Sequence, residues 1–142
     1  MNLGNYIRDI SDFPKKGIIF KDITPLLKNK EAYNYTIEEF KKRIIEKKID
    51  YIVGIESRGF ILGAALAQSL NCGFVPIRKK GKLPYKVISE TYDLEYGKDS
   101  LEIHIDALEA NNNVVLIDDV LATGGTISAS LKMLETFKVN II

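Results

Sequence analysis

Two adjacent carboxylates, Asp118 and Asp119, follow the apolar run Val114-Val-Leu-Ile117 and precede the small-residue stretch Ala122-Thr-Gly-Gly-Thr126. Glycine leaves no Cβ in the way of a ligand, and the N-terminus of a following helix favours an anion. A loop of Ala122, Thr123, Gly124, Gly125 and Thr126 can therefore bring backbone N–H groups close around a phosphate, with the threonine hydroxyls as further donors. Just above such a cradle, Asp118 and Asp119 can accept hydrogen bonds from vicinal ribose hydroxyls and favour a positively charged transition state. A phosphate cradle below two carboxylates describes a site for ribose 5-phosphate. A plain strand-to-helix turn with an aspartate as N-cap would account for the glycines and one carboxylate. It leaves the second carboxylate and the bracketing threonines without a purpose. No Gly-Lys-Ser/Thr and no Gly-x-Gly-x-x-Gly occurs in the stretch, which excludes a Walker loop and a dinucleotide fingerprint.

The elements that position these residues are legible in the apolar pattern. Tyr33, Ile37, Phe40 and Ile44 recur at helical spacing and predict an amphipathic helix over roughly 31 to 48. Tyr51-Ile-Val-Gly-Ile55 predicts a strand, Glu56-Ser-Arg-Gly59 a polar loop, and the Ala-rich stretch from Phe60 to Leu70 a buried helix. Phe74-Val-Pro-Ile77 and Val114-Val-Leu-Ile117 predict two more strands, with a helix from about Thr126 to Lys138 and a strand beginning at Val139. Strands alternating with helices imply parallel pairing through crossovers, hence an α/β sheet with helices on both faces and a site at the carboxyl ends of its strands. Arg78 to Gly97, rich in Lys, Gly and Pro, predicts a long loop flanked by a β-ribbon, in which Leu101, Ile103 and Ile105 alternate with polar neighbours. On that alternation His104 turns away from the apolar face and takes no part in catalysis, and Cys72 beside Gly73 is expected to pack rather than react.

With 142 residues, 46% of them hydrophobic, the chain can bury one core, and no repeat or low-complexity tract divides it, so a single domain over residues 1 to 142 is expected. A net charge of +1 gives no global field toward nucleic acid or a membrane surface. The charge is nevertheless segregated: residues 1 to 100 hold eighteen of the twenty cations, and residues 101 to 142 hold six anions against two cations. A site joining the two regions suits phosphate and metal together. A single cysteine excludes an internal disulfide, and a single histidine excludes a His-rich zinc site. No signal-peptide core or apolar run of about eighteen residues is present, and a cytoplasmic location is expected.

The stretch from Val114 to Thr126 resembles the phosphoribosyl-pyrophosphate motif of type I phosphoribosyltransferases. Four more segments are similar, in order and spacing, to adenine phosphoribosyltransferases: Phe13-Pro-x-x-Gly-Ile-Ile-Phe-Lys-Asp-Ile-Thr-Pro25, Ile55-Glu-Ser-Arg-Gly-Phe60, Ile77-Arg-Lys-Lys-Gly-Lys-Leu-Pro84 and Leu94-Glu-Tyr-Gly-Lys98. Taken alone, the Asp-Asp to Gly-Gly motif specifies only the superfamily; the first two of these segments specify the base. The resemblance implies a parallel five-stranded core flanked by helices, an N-terminal hood over about residues 1 to 30, a mobile β-ribbon loop and a homodimer. It also implies strands beyond Ile142, so that either the sequence is truncated there or those strands are absent.

The activity so implied is transfer of the 5-phosphoribosyl group from phosphoribosyl pyrophosphate to adenine, giving AMP and pyrophosphate in purine salvage. Glu56, Ser57 and Arg58 end a strand and open a helix, so their N–H groups and the guanidinium can hold pyrophosphate, with a non-proline cis peptide implied at Glu56-Ser57. Of the cations Arg78, Lys79, Lys80, Lys82 and Lys86, Arg78 and Lys82 are expected on the diphosphate, with Lys80 and Lys86 left to solvent. By resemblance Phe20 stacks on adenine while the backbone near Ile19 and Lys21 reads its edge, and Glu95 sits nearest as acid or base alongside Asp118 and Asp119. Magnesium is expected to bridge pyrophosphate and ribose oxygens, held by substrate and water rather than by a dedicated protein cage. Lys79 to Gly97 has little apolar area to offset the entropy of ordering and is expected to act as a lid that brings Glu95 and Tyr96 to the reacting atoms. Two other readings stay open: a phosphoribosyltransferase for another base, and a non-catalytic regulator that senses phosphoribosyl pyrophosphate. The regulator calls for a basic helix-turn-helix, of which the sequence has no sign.

Overall fold

The structure, a computed structural model, describes residues 1–94 and 97–142, and the chain divides into two compact units, Met1–Arg43 and Ile44–Ile142. In the first unit, β1 (Arg8–Ser11) and β2 (Ile19–Asp22) form an antiparallel hairpin in which Ile10 lies opposite Phe20. Two helices follow, α1 (Thr24–Lys28) and α2 (Lys30–Ile44). Pro25 suits the first turn of α1, where its missing N–H has no intrahelical partner to lose. The side chain of Asn29 accepts the N–H of Ala32 at 2.9 Å and caps α2. That helix ends at Ile44 rather than near 48, because Ile45 is exposed and the lysines beyond it bury nothing that would hold another turn.

The second unit is a six-stranded mixed sheet in the order β5-β6-β4-β3-β7-β8. Its parallel half consists of β4 (Gly73–Lys79), β3 (Tyr51–Ile55), β7 (Asn113–Ile117) and β8 (Asn140–Ile141), so the described residues hold four parallel strands where five were expected. The other half is an antiparallel ribbon of β5 (Val87–Leu94) and β6 (Gly97–His104), joined to β4 through Arg78 opposite Glu102 and Lys79 opposite Leu101. The long loop expected over 78 to 97 therefore shrinks to residues 80–86, since the β-branched and aromatic residues from Val87 onward pair along the whole ribbon. The apolar alternation holds at Leu101 and Ile103, both fully buried, and fails at Ile105, 43% exposed just past the strand end.

Strand alternation sorts the core onto two faces. Ile52, Gly54, Phe74 and Ile117 point toward α3 (Arg58–Leu70), where a Cβ added to Gly63 would come within 2.8 Å of Phe74 and 2.9 Å of Ile117. Val53, Ile55, Val75, Ile77 and Val114 point the other way and pack with Ala129, Met133 and Leu134 of α4 (Gly125–Thr136). Burial on both faces explains why β3 and β7 read as continuous apolar runs.

Candidate active site

β3 and β7 lie side by side and parallel, with Gly54 opposite Ile117, so their carboxyl ends open together into the loops that begin at Glu56 and Asp118. Gly59, in the first turn of α3, lies against this junction: a Cβ there would sit 2.9 Å from the Ile117 carbonyl oxygen and 3.2 Å from Asp118 Oδ1. Only a residue without a side chain lets α3 approach so closely. The resulting pocket is lined by three carboxylates (Glu56, Asp118, Asp119), two cations (Arg58, Lys79) and the loop from Val120 to Gly124, with Thr126 and Ile127 at the start of α4.

The carboxylate pair is held asymmetrically. Asp119 Oδ2 lies 3.0 Å from Arg58 Nε, and its side chain is only 4% exposed. Asp118 Oδ1 accepts the backbone N–H of Asp119 at 2.9 Å. Burial pushes the Asp118 carboxyl up to about 6; the Asp119 N–H opposes this, the neighbouring Asp119 carboxyl adds to it, and Arg58 opposes it again. The pair therefore takes up a proton near pH 6, well above the range of an isolated aspartate. For stability the sign is the reverse of a salt-bridged aspartate. The folded value exceeds the unfolded one, so ionised Asp118 costs stability above about pH 6, and the cost vanishes as pH falls below its unfolded value.

The stretch from Ala122 to Thr126 runs into the N-terminus of α4. Gly124 is the N-cap of α4 at φ +84°, where L side chains are strained, and a Cβ there would meet nothing within 4 Å. No side chain caps the helix; Thr123 Oγ1 lies 3.5 Å from the Gly125 N–H, at the limit of a hydrogen bond. An uncapped helix N-terminus facing open space next to two threonines can receive a phosphate. Gly125 is not part of the lining: it packs beneath the ribbon, and a Cβ on it would lie 3.3 Å from Tyr92.

At the end of β3 the Glu56-Ser57 peptide is cis, as the resemblance implied, and exposed Ser57 precedes α3 without capping it. Glu56 Oε1 accepts the Lys79 N–H at 2.5 Å and lies 3.3 Å from Arg78 Nε. Arg78 also sits over the Phe60 ring at 5.9 Å. Neither Arg78 nor Lys82 lines the pocket, whereas Lys79 does. The period of two decides this: residue 78 falls on the α3 face of β4 and residue 79 on the α4 face. The signal was present in the alternation of Phe74 to Ile77, continued by two residues.

Glu95 and Tyr96 lie outside the described residues. In the first unit Phe20 is half-buried, with its ring edge-on to Phe13 at 5.2 Å, while Ile19 is 58% exposed. The Lys21 ammonium is held by Asp9 at 2.6 Å and 2.7 Å, so its backbone rather than its side chain is what β2 offers along the edge not paired with β1. Among the described residues no three His, Cys, Asp or Glu side chains cluster as a metal cage, and no helix is long and apolar enough to cross a membrane.

The family model for the phosphoribosyl transferase domain matches residues 24–142. The chain is 59% identical over 135 residues to the adenine phosphoribosyltransferase of Brachyspira hyodysenteriae, a match covering 95% of this chain and 79% of that one. Among solved structures it resembles the adenine phosphoribosyltransferase of Thermoanaerobacter pseudethanolicus, with a TM-score of 0.94 at 54% identity over 98% of this chain and 81% of that one. The Saccharomyces cerevisiae enzyme, solved with an imino-altritol bisphosphate and adenine, superposes with a TM-score of 0.93 at 41% identity, covering 99% of this chain and 82% of that one. With this agreement in sequence and fold, the chain belongs to the adenine phosphoribosyltransferase family.

Proposed function

We infer that the chain transfers the 5-phosphoribosyl group of phosphoribosyl pyrophosphate to adenine, forming AMP and pyrophosphate, a purine-salvage reaction. The observation that carries this is the N-terminus of α4, without a side-chain cap, in one pocket with two carboxylates, one of them paired with Arg58. A phosphate on Ala122 to Thr126 would place the ribose hydroxyls within reach of Asp118 and Asp119. As the bond from the anomeric carbon to pyrophosphate breaks and the bond to a ring nitrogen of adenine forms, positive charge builds on the sugar beside those carboxylates. We assign the departing pyrophosphate to Arg58, Lys79 and the N–H groups around Glu56 and Ser57. Arg78, held by Glu56 and Phe60, then shapes this loop, and Lys82 stays exposed on residues 80–86. Phe20, with the backbone of Ile19 and Lys21, is proposed to hold adenine, and Glu95 to manage its proton.

Magnesium prefers oxygen ligands and keeps much of its water. Glu56 is engaged by Lys79 and Asp119 by Arg58, which leaves Asp118 as the pocket carboxylate suited to a metal's water shell. A magnesium ion carried by the substrate fits this donor set, and when bound it would neutralise charge on the leaving diphosphate. Homodimerisation and a cytoplasmic location are proposed from family resemblance and from the single cysteine.

Release of pyrophosphate that requires both adenine and phosphoribosyl pyrophosphate tests the assignment. Hypoxanthine, guanine, xanthine or orotate turning over in place of adenine would refute it, as would binding of phosphoribosyl pyrophosphate with no turnover of any base. The rate should fall as pH drops through about 6, because protonating Asp118 removes the charge that stabilises the transition state. A kcat/KM profile flat from pH 7 to pH 5 would contradict that role. The ribbon is further proposed to act as a lid over residues 79 to 97. The amides of residues 79–94 should exchange quickly in the free protein and slowly with magnesium, phosphoribosyl pyrophosphate and an unreactive adenine analogue present; equal exchange in both states excludes a lid.

A further inference from the structure

Three neighbouring strands each send one polar side chain to a single point beside the pocket. Lys79, at the end of β4, lines the pocket, and its Nζ donates to Tyr92 Oη on β5 at 2.7 Å and is ion-paired with Asp99 on β6. Tyr92 Oη in turn donates to Asp99 Oδ2 at 3.2 Å. The register makes this possible: Tyr92 stands directly opposite Asp99, and Lys79 stands opposite Leu101, two residues further along the same face. On that face the Tyr92 ring also covers Gly125 in the first turn of α4, and Glu90 reaches Lys132 at 3.3 Å. One ring thus touches both the phosphate helix and, at 5.3 Å from its centre, the Lys79 ammonium.

Neither Tyr92 nor Asp99 lines the pocket. Burial would favour the uncharged amine of Lys79, yet hydrogen bonds to Asp99 and Tyr92 outweigh it and hold the group above its ordinary value, and Asp99 is correspondingly held low by Lys79. A lysine left to itself samples many rotamers, and ordering it on an anion costs entropy at the moment of binding. Holding it on Asp99 and Tyr92 of the docked ribbon removes that cost.

We propose that Tyr92 and Asp99 are positioning residues of the transfer reaction, holding the Lys79 ammonium so that it is charged and aimed at the pyrophosphate whenever the ribbon is docked on α4. This rests on the assignment of the pocket to phosphoribosyl pyrophosphate. It makes docking of the ribbon on α4 and completion of the pyrophosphate site a single event.

Calorimetric titration of the whole chain with inorganic pyrophosphate, alongside steady-state kinetics, tests it. Asp99→Asn should weaken pyrophosphate binding and raise the KM for phosphoribosyl pyrophosphate by about tenfold, with the KM for adenine and the melting temperature near the parent's. Asp99→Glu should recover most of the loss. Tyr92→Phe, which keeps the ring on Gly125, should give a smaller loss of about threefold. In a Lys79→Met background, where the ammonium is gone, Asp99→Asn should change nothing further. An equal loss in both backgrounds, or a lowered melting temperature that Asp99→Glu does not recover, would reduce Asp99 to a structural part of the ribbon. Unchanged or tighter pyrophosphate binding by Asp99→Asn would overturn the proposal by showing that Asp99 competes with the anion for Lys79. The titration needs no adenine, so absent adenine turnover in the parent chain refutes the transferase assignment while the titration still decides the role of Asp99.

Discussion

Asp118→Asn should lower turnover by about 10²–10³-fold while leaving the affinity for phosphoribosyl pyrophosphate within a few-fold of the parent's. The substitution keeps the size of the side chain and its acceptance of the Asp119 N–H through the amide oxygen, and removes only the charge. That charge matters little to the neutral sugar of the ground state and much to the cationic sugar of the transition state, so the loss belongs in kcat. Asp119→Asn should behave differently. Its carboxylate is the ion-pair partner of Arg58 and almost fully buried, so the variant also loosens the guanidinium assigned to the pyrophosphate, and both KM and kcat should suffer. Single-turnover rates and equilibrium binding measured on both variants separate the two outcomes. A defect of Asp118→Asn confined to apparent affinity would end its assignment to the transition state.

Gly124→Val should reduce binding of ribose 5-phosphate and phosphoribosyl pyrophosphate by about a hundredfold or more. Two effects combine. At φ +84° a β-branched residue carries a backbone strain of about 1–3 kcal/mol, and its Cβ would occupy space that is open in the cradle. Each charge-assisted N–H bond to the phosphate contributes about 1.5–3 kcal/mol, so displacing the anion from even one or two of them accounts for the loss. Gly124→Ala shares the strained φ with a smaller group and should fall between the parent and the valine variant. Circular dichroism keeps the comparison fair by showing that α4 still forms. If a folded valine variant bound ribose 5-phosphate normally, the helix N-terminus could not be the phosphate site.

The local structure of segments contiguous in the chain was readable from it. Val114 to Thr126 carries its strand, its carboxylates, its cradle and the start of its helix in thirteen consecutive positions, so local pattern and glycine chemistry suffice to describe it, and the structure adds mainly that Gly124 is the left-handed residue. The same holds for Glu56 to Gly59, where a strand end and a helix start are neighbours. Family resemblance placed a cis peptide there that no propensity rule requires.

Tertiary structure decided whatever depends on which face a residue occupies or on what a distant segment does. The sequence shows five cations between residues 78 and 86, and the alternation of Phe74 to Ile77 puts Arg78 and Lys79 on opposite faces without saying which face holds the pocket. The register of β4 against β6 turns Lys79 to the pocket and Arg78 to Phe60, and exposure leaves Lys82 in solvent. The difference between Asp118 and Asp119 is likewise invisible in an Asp-Asp pair. It arises because α3, admitted by Gly59, brings Arg58 to one carboxylate and leaves the other half-buried beside a like charge. The ribbon is the clearest case: its Lys, Gly and Pro content reads as a loop, yet pairing from Val87 to Leu94 with Gly97 to His104, and docking of Tyr92 on Gly125, make it a strand pair, because backbone hydrogen bonds to a partner more than compensate for a weak local preference.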